Sequence, residues 1–94
     1  MKLPPDLVVG HASDMISEEL NGGLVLYSLA CHKAMHLNET ASLIWRLSDG
    51  SRTVQQIVEE VILTFPDDDK EVTEQTRDTL SRLLAEGALS SKIQ

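Results

Sequence analysis

Polar and apolar residues alternate along Met15-Ile16-Ser17-Glu18-Glu19-Leu20, with Ile16, Glu18 and Leu20 on one side and Met15, Ser17 and Glu19 on the other. A period of two is the mark of a strand. Asn21-Gly22 follows at once, and this dipeptide suits a type I′ hairpin turn, which needs φ > 0 at both central positions. Leu24-Val25-Leu26-Tyr27-Ser28-Leu29 is apolar on both sides. It reads as a middle strand, covered on one face by helices and on the other by the N-terminal arm. Ala30-Cys31-His32-Lys33 reads as the next turn and Ala34-Met35-His36-Leu37 as a third strand, last in the meander and therefore an edge.

After Leu37 the apolar period lengthens to that of a helix. Asn38 is placed to cap a first helix whose apolar face is Leu43, Ile44 and Leu47, broadened by Trp45, and Asp49-Gly50 is placed to stop it. Thr53 and Gln56 form a capping box for a second helix with Val54, Ile57, Val58, Val61, Ile62 and Phe65 at helical spacing, broken by Pro66-Asp67. Asp68 and Glu71 offer a second box for a third helix, on which Val72, Leu80, Leu83 and Leu84 make one buried face. Glu74 with Arg77, and Asp78 with Arg82, are spaced to pair along its surface. Gly87 ends it, and Ala88-Leu89 is expected to tuck back onto the core. The expected fold is α+β: a three-stranded antiparallel β-meander followed by a three-helix, winged-helix-like bundle. Residues 1–13 form an arm, in which Leu7-Val8-Val9 either adds a short strand or packs across the sheet. Residues 14–94 form a single domain.

Composition narrows the function. Fifteen acidic against 8 basic residues give a net charge of −7, which disfavours nucleic-acid phosphates and anionic membrane surfaces. One cysteine leaves no internal disulfide, so a reducing, cytoplasmic setting is the expectation. No apolar stretch reaches signal-peptide or transmembrane length. Trp45 is expected in the core and Asn38 as a helix cap. Cys31, His32 and His36, with His11 remote, lack a spaced fourth ligand, so no metal is expected. Cys31 has no orienting His-Asp arrangement for nucleophilic work, and Asp67-Asp68-Asp69 reads as a solvated cap and turn without a calcium loop. No cofactor and no enzyme activity are expected.

Several motifs combine into a recognisable set: Glu18-Glu19-Leu20-Asn21-Gly22, the Val25-Leu26-Tyr27 strand, Leu37-Asn38-Glu39-Thr40-Ala41, Ile44-Trp45, Asp49-Gly50, Thr53-Val54, Ile57-Val58, Leu80, Leu83-Leu84, Glu86-Gly87 and Leu89. Over roughly residues 14–90 the chain resembles the PqqD family, the recognition elements of ribosomally synthesised peptide (RiPP) biosynthesis. The resemblance implies a bacterial, non-catalytic peptide chaperone that binds the leader of a precursor peptide. It would present that precursor to a modifying enzyme such as a radical-SAM protein. The name-giving pathway makes pyrroloquinoline quinone. Its subgroup carries a Tyr-Pro-Glu-type turn and a C-terminal tryptophan where this chain has Tyr27-Ser28-Leu29 and Ala88-Leu89, so the resemblance is to the family, in that pathway or another.

An edge strand exposes unpaired backbone donors and acceptors, onto which a leader adds as a further strand. Lys33, Ala34, Met35, His36 and Leu37 are the candidate edge. The third helix is the expected second wall, through Arg77, Ser81 and Leu84, with Arg77 set to pair with an acidic leader residue. Without peptide, the same edge is expected to pair with itself in a homodimer. The alternative is a winged-helix DNA-binding regulator. Against it, residues 69–86 carry Asp69, Glu71, Glu74, Asp78 and Glu86 beside only Lys70, Arg77 and Arg82, a balance that repels a major groove.

Overall fold

Asn21 and Gly22 both adopt left-handed backbone, with φ of 52° and 86°, so the hairpin turn forms as its chemistry requires. The computed structural model describes residues 3–30, 32–65 and 68–92. Its elements are β1 (Val8–His11), β2 (Met15–Leu20), β3 (Gly23–Ser28), β4 (Lys33–Leu37), α1 (Glu39–Leu47), α2 (Val54–Thr64), α3 (Asp69–Ala85) and β5 (Leu89–Lys92). β2, β3 and β4 form the expected antiparallel meander with β3 in the middle. The register pairs Glu18 with Val25 and Val25 with His36, and Ile16 with Tyr27 and Tyr27 with Ala34. Gly23 begins β3 where the Leu37 carbonyl passes it; a Cβ there would lie 2.2 Å from that oxygen.

The two faces of the sheet differ. Leu24, Leu26 and Leu37 are buried beneath the helices, with Met15 and Met35 packed at the margin. On the outer face Ile16, Leu20 and Tyr27 are 51%, 55% and 38% exposed. The expected cover of this face by the arm is not what forms. The arm runs instead along the helices, and β1 pairs with β5 in a separate two-stranded sheet. Ala88 and Leu89 do tuck onto the core, and they do so as the start of that strand. The arm's carbonyls also complete the start of α2. Val54 N–H donates to Leu7 O at 2.8 Å and Gln55 N–H to Pro5 O at 3.0 Å. Thr53 Oγ1 takes the Gln56 N–H, and Gln56 returns the bond to Thr53. All three donors of that first turn, which helix geometry leaves without partners, are thereby satisfied. Leu3 and Val9 are 5% and 0% exposed.

The other caps follow the sequence with one change. Asn38 accepts from Ala41 N–H at 2.9 Å. After Ser48 the chain turns through Gly50 at φ 89°, and the Ser51 hydroxyl and N–H, with Arg52, hold the Asp49 carboxyl below its ordinary range. Asp68 accepts from Lys70 and Glu71 N–H, but the Glu71 side chain does not close the box; it accepts from Gln75 Nε2 instead. The expected ion pairs on α3 do not form among the described residues. Arg77 turns to the Leu3 carbonyl, and the ion pairs present are Arg46–Glu19 and Arg52–Asp49. The break at Pro66-Asp67 and the Cys31 part of the β3–β4 turn lie outside the described residues.

Trp45 is 6% exposed and Ile44 fully buried. The indole carries His11 stacked on it, with ring centroids 3.6 Å apart and planes within 2°, and His11 Nε2 lies 2.7 Å from Trp45 O. His11 is thus part of the packing between β1 and α1. Among the described residues no group of three or more His, Cys, Asp and Glu side chains is arranged to hold a metal, and no helix is long and apolar enough to cross a membrane.

Candidate functional site

β4 has one strand neighbour, β3, so its other side is an open ladder of backbone donors and acceptors. Side chains alternate along it: Met35 and Leu37 turn inward, whereas Ala34 and His36 face outward and are exposed, as is Lys33. The buried Leu37 side chain belongs to the core, and its carbonyl accepts from the Ser42 hydroxyl at 3.2 Å. What Leu37 offers a ligand is therefore backbone, and the core anchors the strand end on which the ladder depends.

Two pockets, one shared by β4 and α3 and one among the three helices, outline a candidate groove. One, of about 90 Å³, is lined by Met15, Ser28, Lys33, Ala34, Met35 and Glu86, at the start of β4 and the end of α3. The other, of about 40 Å³, is lined by Thr40, Val61, Phe65, Val72, Gln75 and Thr76, just past the end of β4 and in the first half of α3. β4 and α3 therefore run in opposite senses past each other. The rise from Gln75 to Glu86 along a helix is about 16 Å, close to the length of a five-residue strand.

Helical spacing decides which α3 side chains belong to this groove. Gln75, Thr79, Arg82 and Glu86 recur at i, i+4, i+7 and i+11 and so share one flank, and its first and last members line the two pockets. Arg77, Ser81 and Leu84 lie on the other flank. Arg77 there donates to Leu3 O, Leu84 packs against the core margin, and Ser81 is half-buried. The structure thus brings Lys33, Ala34 and Met35 together with Glu86, and carries Arg77, Ser81 and Leu84 towards the arm. Sequence reasoning did not single out the flank of Gln75, Thr79, Arg82 and Glu86, although their spacing was visible, because both flanks of α3 mix polar and small residues.

Thr76 is 1% exposed, and its hydroxyl, like the Trp45 indole N–H, has no hydrogen-bond partner among the described residues. A buried hydroxyl without a partner costs about 1–3 kcal/mol. Thr76→Val keeps the shape and removes the orphan group, so it is expected to stabilise the protein by about 1 kcal/mol. A lower urea midpoint in the variant would show that the hydroxyl is satisfied in solution.

Comparison with known proteins gives three findings. The family model described as "Coenzyme PQQ synthesis protein D (PqqD)" matches residues 23–89. Among solved structures, the one described as "TbiB1 in Complex with the TbiA(beta) Leader Peptide" superposes with a TM-score of 0.78, at 21% identity, over 90% of this chain and 99% of that one. No curated protein matches the chain. At that identity the structural likeness speaks for the fold.

Proposed function

The chain belongs to the PqqD family, and on that premise we propose that it is a peptide-binding protein of RiPP biosynthesis, without catalysis of its own, which takes up a precursor's leader as a strand along β4. The observation that carries this reading is the open β4 edge, with one pocket shared by the start of β4 and the end of α3 and a second among the three helices beyond the strand's end. A strand laid there gains a backbone ladder from β4, and alternate side chains turn inward. The inward positions lie beside Met35 at one end and towards Val61, Phe65 and Val72 at the other, which suits apolar leader residues. TbiB1, which shares the fold, is described in complex with a leader peptide.

Arg82, on the flank that faces the groove, takes the role that sequence spacing assigned to Arg77: pairing with an acidic leader residue. Leu84 and Ser81 support the helix from behind. The bound precursor is then handed to a modifying enzyme, of which a radical-SAM protein is the expected class, in the cytoplasm. DNA recognition has little to work with, since the acidic balance of α3 is compounded by the commitment of Arg77 to the arm.

A titration of the isotope-labelled protein with the synthetic leader of a precursor encoded beside its gene tests the reading. Amide shifts are expected at residues 33–37 and along Gln75, Thr79, Arg82 and Glu86. Arg82→Ala is expected to weaken binding about fivefold, the scale of an exposed ion pair. Arg77→Ala is expected to lower the urea midpoint and leave affinity almost unchanged. Unmoved signals at 33–37 would rule out strand addition, and loss of affinity in Arg77→Ala alone would return the groove to the other flank.

A further inference from the structure

The outer face of the meander is apolar, and among the described residues no element packs on it. Its rows follow from the register. Ile16, Tyr27 and Ala34 form one row, and Glu18, Val25 and His36 the next, with Leu20 beyond on β2. Ile16, Leu20 and Tyr27 remain about half exposed. In a chain with 15 acidic residues, this face carries a single one, Glu18, and it stands on the opposite side strand from His36.

We propose that this face is a contact between two copies of the chain, stacked sheet on sheet. The charge arrangement selects both the occupant and the symmetry axis. A twofold axis running parallel to the strands, midway between stacked sheets, lays β2 of one copy over β4 of the other and keeps the rows in register. Glu18 then meets His36 of the second copy, and the same contact repeats across the axis, an imidazole N–H against a carboxylate each time. Val25 and Tyr27 meet their own equivalents on the axis, and Ile16 covers Ala34. An axis running across the strands instead sets β2 over β2, where Glu18 meets either a second carboxylate or an apolar side chain and never His36, so only the first arrangement pairs the charges. Sheets stacked about 10 Å apart with a crossing near 30° accommodate the side chains.

This contact differs from the self-pairing of the β4 edge expected from the sequence. Edge pairing competes with a leader strand, whereas face stacking leaves the edge open, so the inference does not depend on the peptide-binding reading. Strands of six, six and five residues span only about 14 by 20 Å, below the area of a stable specific interface. A weak dimer follows, with a dissociation constant of about 100 µM.

Sedimentation equilibrium of the whole chain, from about 20 to 500 µM, tests it. Ile16→Lys is expected to raise the dissociation constant at least about tenfold. Glu18→Lys and His36→Glu are each expected to raise it about fivefold, and the double variant to return it to within about twofold of the parent, because the swap rebuilds both pairs. Circular dichroism and urea midpoints verify folding; the charge-swap trio keeps the test decisive if Ile16→Lys fails to fold. A protein monomeric throughout that range overturns the proposal. So does a dimer indifferent to these changes, which places the contact elsewhere, the β4 edge included. Additive charge swaps without rescue overturn the stacking geometry as well.

Discussion

Gly23→Ala is expected to cost roughly 3 kcal/mol and to abolish leader binding, because the added methyl would stand 2.2 Å from the Leu37 carbonyl. That contact is with backbone, so no rotamer change relieves it. Relief requires β3 and β4 to separate at the point where β4 hands over to α1, and this is also where Leu37 O takes the Ser42 hydroxyl and Asn38 caps the helix. The disturbance therefore spreads to the strand that carries the candidate groove. Gly22→Ala is the control. Its Cβ meets nothing within 4 Å, so only the left-handed φ of 86° opposes it, at about 1 kcal/mol. Urea unfolding and a leader titration on both variants separate the cases. Equal stability losses at the two positions would show that the strands yield where the structure has them in contact.

Deletion of residues 1–7 is expected to remove about 4 kcal/mol, a large share of the stability of a domain this size. Leu3 leaves the core, a loss of about 2 kcal/mol. Pro5 O and Leu7 O leave Gln55 and Val54 N–H without partners at the start of α2, and Val54 is fully buried, so water replaces its bond poorly. Arg77 loses the Leu3 carbonyl as well. The measurable result is a large fall in the denaturant midpoint. A truncated protein with an unchanged midpoint would mean that the arm only rests on the surface.

These two expectations divide by how legible they were. The meander and three helices could be read because their signals are local: Asn21-Gly22 dictates its own turn, Asn38 and Thr53 bind N–H groups three residues on, and apolar spacing switches from two to nearly four at Leu37. The β1–β5 pair could not be read, because each strand is only 4 residues long and its partner lies some eighty positions away, so neither end shows the pairing alone. The candidate groove was half legible. Residues 33–37 were identifiable as an edge from meander order, but the choice of α3 flank was not. Arg77 and Arg82 are equivalent on a helix drawn in isolation, and what distinguishes them is where Leu3 lies.

The β1–β5 pair also ties the two ends of the described fold to each other. Val8 pairs with residue 92, and His11 with Leu89, so the strand that follows the arm and the last strand lie a single strand spacing apart, about 5 Å. A fold closed in that way behaves like a clasp: a pull on either end loads the same short ladder of four paired positions before it reaches the helices or the open strand.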